Sequence, residues 1–117
     1  MSSEFPSRRL RDIIENAELI AEYTEGMDLQ AFENNSLVQN AVERCLERVC
    51  EAVSKLGEEA AILLPGQPWN RIRAFGNVLR HEYDRIESAQ LWRVLKETLP
   101  SLVQACHASI RRLEELE

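Results

Sequence analysis

Pro68-Trp69-Asn70-Arg71-Ile72-Arg73-Ala74-Phe75-Gly76-Asn77-Val78-Leu79-Arg80-His81-Glu82-Tyr83-Asp84-Arg85-Ile86 is the most chemically varied stretch of this 117-residue chain. Pro68 suits the first turn of a helix, where its missing N–H would have had no intrahelical partner. Trp69, Phe75, Leu79 and Ile86 read as core, and the polar residues between them show no period-two alternation. The stretch is therefore expected to be a helix, the third long one, ending near Tyr83 to Arg85.

The flanking sequence has the same helical character. Leu10, Ile13, Ile14, Ala17, Ile20 and Ala21 fall on one face of a first helix expected from about Ser7 to Glu25. Ser7 can cap it or Pro6 can occupy its first turn, and Gly26 is its natural stop. Asp28 can start a single turn carrying Leu29 and Phe32. Ser36 is expected to cap a second helix running to Leu56, with Gly57 ending it. That helix places Val38, Val42, Cys45, Val49, Ala52, Val53 and Leu56 along a packing seam. Glu58 to Leu64 reads as a short helix before Pro65-Gly66. Ser88 is expected to cap a last helix faced by Leu91, Leu95, Leu99, Leu102, Cys106, Ile110 and Leu113. Pro100 predicts a kink or break there near Leu99. The tail from Arg111 to Glu117 is expected to fray. The fold expected is all-α, an up-and-down bundle of four to five helices in one domain spanning 1–117.

Composition narrows the function. Hydrophobic residues make up 44% of the chain, enough for a real core. The net charge of −6 argues against a general nucleic-acid coat and leaves room only for a local basic patch. The longest apolar run, Ala60 to Pro65, is too short for a membrane span. The first residues lack the apolar core of a signal peptide. A cytoplasmic protein with no membrane association is expected. Cys45, Cys50 and Cys106 are odd in number and lack metal-binding spacing, so they read as core thiols, with no metal or cofactor expected.

Within the opening stretch, Arg73, Asn77 and His81 recur every four residues and form one stripe, drifting by roughly 40° per step. Histidine suits proton transfer near neutral pH, and arginine suits phosphate. Asp84, three residues beyond His81, is placed to orient its ring. Gly76 costs about 1 kcal/mol in mid-helix relative to alanine and so invites a close approach by another helix or a ligand. The set suits a ribonuclease, because an RNA 2′-hydroxyl supplies the nucleophile and the protein need only move protons and hold an anion. Each residue also has an ordinary reading. Four arginines on a helix are usually a solvated face, and a lone histidine is usually structural. His107 carries only that ordinary reading.

Gly76-Asn77-Val78-Leu79-Arg80-His81-Glu82-Tyr83-Asp84 after Pro68-Trp69 resembles the HepT-like branch of the HEPN superfamily. The similarity extends to Arg11-Asp12-Ile13, Ala41-Val42-Glu43-Arg44, Leu91-Trp92 and Leu99-Pro100. It implies a metal-independent ribonuclease toxin that forms a homodimer, with the motif helices of both subunits lining one cleft. It also implies a minimal nucleotidyltransferase as antitoxin.

The family motif is Arg-Asn-x-x-x-His-x-Tyr. Asn77, His81 and Tyr83 match it, and the resemblance implies that Tyr83 is the residue an antitoxin would adenylylate, as in related systems. Gly76 stands where the motif has arginine. Arg73 or Arg80 is then the candidate for the anion-binding role, with Arg71 and Arg85 completing an RNA- or phosphate-binding patch. The alternative is a catalytically weakened HEPN module that holds a nucleotide or a partner protein.

Overall fold

A computed structural model describes residues 5–116, the side chain of Tyr83 excepted. Among the described residues it is all helical. Helix α1 spans Pro6–Tyr23, α2 Leu29–Glu33, α3 Ser36–Leu56, α4 Glu59–Leu63 and α5 Trp69–His81. A 3₁₀ turn, Tyr83–Arg85, follows α5. Helix α6 (Ser88–Arg93) then passes through a π turn (Val94–Thr98) into α7 (Leu99–Leu116).

Local chemistry explains these boundaries. Phe5 occupies the N-cap of α1 without a capping side chain, so Pro6 at the first position starts the helix and Ser7 does not cap it. Asp28 Oδ1 accepts from Ala31 N at 2.9 Å and starts α2. Asn35, one residue before the expected Ser36, caps α3 by accepting from Val38 N at 3.0 Å. Gly57 stops α3 at φ 61°, a left-handed backbone that a side chain would strain. Glu87 is the cap residue before α6, and Ser88 is already helical.

Pro100 does not break the last helix. It lacks the N–H that would bond to the Lys96 carbonyl, and its ring would collide with that oxygen in a regular turn. The backbone widens into the π turn just before it, and the dihedrals at Arg93, Val94 and Leu99 stay helical. The C-terminal turns are also better held than a fraying tail. Arg112 Nη2 donates to the Leu63 carbonyl at 3.1 Å, and Arg11 pairs with Glu114 at 3.3 Å. Glu117 lies outside the described residues.

Helix α3 is central: α1 packs along it, α5 lies on another flank, and α7 closes on α1. Two apolar clusters fill the interior. Leu10, Ile13, Val53, Leu56, Leu102 and Cys106 belong to the first, and Ile20, Phe32, Val42, Leu46, Leu91 and Leu95 to the second. Helix α5 contributes Ile72 to one and Leu79 to the other, so both ends of the motif helix are anchored. Burying each such side chain stabilises the fold by roughly 1.5–3 kcal/mol.

Candidate functional site

The apolar anchors of α5 fix which of its polar residues face where. Ile72 and Leu79 are buried, and Gly76 between them lies against α3. Arg73, Asn77 and Arg80 then emerge on one edge of the contact. They line a depression of about 370 Å³ whose other wall is Cys50, Val53, Ser54 and Glu58.

The contact at Gly76 is close. A Cβ there would sit 3.1 Å from Cys50 Cβ and 3.3 Å from its Sγ. A larger side chain at position 76 therefore meets the body of α3. The expected close approach at this glycine is made by a neighbouring helix. Cys50 is itself inert at neutral pH. Burial pushes its thiol up to about 11, against the opposing pull of Arg80, and a thiol in that state is a poor nucleophile.

Arg80 folds back over this contact. Its Nη2 lies 3.8 Å from where a Gly76 Cβ would be and donates to Asn77 Oδ1 at 3.3 Å. Its Nη1 donates to Glu51 Oε2 at 3.5 Å. Both partners of that ion pair are about half exposed, so it adds at most ~1 kcal/mol of stability and serves mainly to aim the guanidinium. Arg80 thus shares a flank with Asn77.

The other predicted residues are distributed differently. His81 is exposed at the last position of α5, one turn beyond Asn77, and makes no hydrogen bond or ion pair among the described residues. The helix stops there, two residues short of the expected end, because Glu82 leaves helical dihedrals at φ −140°. Asp84 falls in the 3₁₀ turn and makes no bond to His81. Arg85 is tied to Glu82 at 2.8 Å. Arg71 lines a separate depression on the opposite flank of α5, among Phe75, Val78 and Arg93. The four arginines therefore do not form one patch. Tyr83 belongs to the 3₁₀ turn, and its side chain is outside the described residues.

Sequence reasoning missed Cys50 and Glu51, which build the wall facing Arg80. Both lie on α3, far away in the chain, and Glu51 falls on the polar side of a helix otherwise read only for its apolar seam. Among the described residues, no group of three or more His, Cys, Asp or Glu side chains converges as a metal ion would require. No described helix is long and apolar enough to cross a membrane.

A family profile described as ribonuclease HepT-like matches residues 13–109, which include all of α5 and the wall it faces. The chain belongs to the HepT-like ribonuclease family. The resemblance carried by the motif stretch is thereby confirmed. Its relatives include a candidate RNase of Methanocaldococcus jannaschii, 33% identical over 93 residues, covering 80% of this chain and 85% of the relative. A second candidate RNase of that organism is 30% identical over 106 residues, covering 91% of each. A protein of Thermococcus cleftensis named probable ribonuclease HepT is 34% identical over 93 residues, covering 80% of this chain and 84% of the relative. No solved structure matches the chain.

Proposed function

We propose that this HepT-like protein is an endoribonuclease that works without a metal ion. The observation that carries the reading is the gathering of Arg73, Asn77 and Arg80 in one depression, one helical turn from the exposed His81, in a member of this family. An RNA 2′-hydroxyl attacks the adjacent phosphorus while His81 accepts its proton. Arg80 and Arg73 hold the phosphate as charge builds on it, and Asn77 orients the strand or the arginine. The 5′-oxygen leaves with a proton from a second acid, giving a 2′,3′-cyclic phosphate and a 5′-hydroxyl.

A homodimer supplies that second acid. Two-fold symmetry brings two copies of one surface together, so the partner's equivalent histidine serves as acid when the first serves as base. The exposure of His81 at a helix end leaves it accessible to such an arrangement. The test is to incubate purified protein with RNA in the presence of a chelator. Cleavage that yields cyclic-phosphate ends and is lost in His81→Ala supports the reading. Undiminished cleavage by His81→Ala removes His81 from the mechanism. A stable monomer in sedimentation removes the dimer.

In its biological setting the nuclease is the toxin of a toxin–antitoxin pair, restrained in the cytoplasm by a minimal nucleotidyltransferase. Adenylylation of Tyr83 is the proposed switch, since its phosphate would compete with RNA for Arg80 and Arg73, both upstream of the 3₁₀ turn. Co-expression with a nucleotidyltransferase encoded beside it, followed by intact mass measurement, tests this. An unmodified mass, or an adduct that survives Tyr83→Phe, rules it out.

A second reading, a binding module with little catalysis, is favoured by one feature. Gly76 offers no cation where the motif has one, and Cys50 closes the space. Nucleotide binding without RNA cleavage under the same conditions would support it.

A further inference from the structure

Beyond the depression beside α5 lies a larger one, of about 550 Å³, between α1 and α3. Arg80 lines both. The larger depression is walled by Arg9, Arg44, Arg48, Lys55 and Arg80, against three carboxylates, Asp12, Glu47 and Glu51. In a chain of net charge −6, a groove with an excess of cations is a local inversion of sign. Arg44, Arg48 and Lys55 lie on one face of α3 with Glu51, so the basic wall is about 16 Å long at 1.5 Å per residue.

Its cations are only lightly engaged. Arg44 pairs with Glu47 at 3.0 Å, Arg9 with Asp12 at 3.6 Å and Lys55 with Glu51 at 3.8 Å. These pairs are partly exposed, worth about 0–1 kcal/mol each, so a polyanion displaces the carboxylates at little cost. Arg48 is exposed and has no ion-pair or hydrogen-bond partner among the described residues.

Two further polar atoms on this wall are unsatisfied. Asn16, 9% exposed, donates Nδ2 to the Asp12 carbonyl at 2.8 Å, which leaves its buried Oδ1 without a donor. Arg9 Nε is buried without an acceptor. Buried polar groups are nearly always paired, so an acceptor and a donor left over in one groove point to a ligand that offers both. They are seven residues apart on α1, about 10.5 Å along the axis, and a rotation of either side chain would turn its unpaired atom toward a ligand in the groove.

We propose that this groove carries the RNA strand flanking the cleavage site, entering or leaving past Arg80. The inference rests on the ribonuclease reading above. RNA supplies phosphates for the arginines, together with 2′-hydroxyls and base edges that can both donate to Asn16 and accept from Arg9. A protein partner fits less well. Among the described residues Ala52 is the groove's one apolar lining residue, and protein interfaces depend on apolar or aromatic anchors in a desolvated centre.

The probe is a uridine homopolymer long enough to span the groove, with a dinucleotide as the short substrate. Arg44→Ala/Arg48→Ala removes two exposed cations away from His81, and circular dichroism checks that the fold is kept. The double variant should bind the homopolymer roughly tenfold more weakly, with a salt slope smaller by about 1.4, as expected for two lost phosphate contacts on a single strand. Cleavage of the dinucleotide should be unchanged. Asn16→Ala should weaken binding without altering the salt slope, since it removes no charge. If the double variant keeps the wild-type salt slope and affinity while His81→Ala abolishes cleavage, the groove proposal is overturned and the nuclease stands. If the variant instead loses binding of a co-purifying protein and keeps RNA binding, the groove is a protein interface. If the unmodified protein neither binds nor cleaves RNA, the ribonuclease reading falls and takes the groove with it.

Discussion

Gly76→Ala tests the contact that organises the site. A mid-helix glycine replaced by alanine gains about 1 kcal/mol of helix stability where there is room. Here the new Cβ would lie 3.1 Å from Cys50 Cβ, closer than packed carbons settle, and 3.3 Å from Sγ. The sulfur can rotate, but the Cβ is fixed to the backbone of α3, whose far side is held by α1. The helices must separate by a few tenths of an ångström, and overpacking of that kind costs about 1–3 kcal/mol. The net expectation is a loss of about 1 kcal/mol, or about 4 °C in Tm for a chain of this size. Adding Cys50→Ala removes the Sγ contact while leaving the Cβ contact. The double variant should therefore recover about 0.5 kcal/mol relative to additivity. Arg80 Nη2, at an ordinary 3.8 Å from the added atom, stays in place, so RNA cleavage should survive. Urea denaturation of the four proteins in the cycle measures these terms. A stabilisation of Gly76→Ala by the full propensity gain would refute the close approach of α3 and α5.

Three other outcomes are expected. Phe32→Ala removes a fully buried ring 5.2 Å from Trp92 and should cost about 3–5 kcal/mol in urea denaturation; a loss below about 1 kcal/mol would contradict its place in the core. Burial raises the Cys50 thiol from 9.0 to about 11, so the unfolded chain releases this proton first. Its stabilising contribution is complete below pH 9.0 and is lost as pH climbs to about 11, at up to about 1.4 kcal/mol per unit, so Cys50→Ala should flatten the alkaline decline in stability between those values. Finally, Arg80→Ala should lower RNA cleavage about a hundredfold by removing the phosphate holder, whereas Arg71→Ala, on the opposite flank of α5, should change it less than about twofold; equal losses would mean the two flanks are not distinct.

Much of the helical plan was legible because apolar periodicity reports burial directly. The face expected of the first helix includes Leu10, Ile13, Ile14, Ala17 and Ile20, all buried, though Ala21 is exposed. The helix end at His81 was not legible. Nothing local in Glu82-Tyr83-Asp84 forbids another turn, and the 3₁₀ turn emerges only in the folded chain. That Arg80 shares the flank of Asn77 was not legible, because helical angle locates Cα atoms, whereas a long arginine can reach back along the helix. Glu51, 29 residues earlier, helps draw it there. The basic face of Arg44 and Arg48 carried a readable signal, a four-residue spacing beside the apolar seam. It is easily passed over in a chain whose total charge is negative.

The π turn at Val94–Thr98 has a consequence for how chains of this type can vary in length. A π turn holds one residue more than the α turn it replaces. With Pro100 replaced, deleting a single residue from this segment would restore the ordinary pitch and keep Leu91 and Leu102 turned toward their separate clusters. The same deletion in the middle of α3 would swing everything beyond it by about 100° and carry Val53 and Leu56 out of the core. The last helix thus contains a slack position where insertion and deletion are reversible, while the helix that walls the site has none.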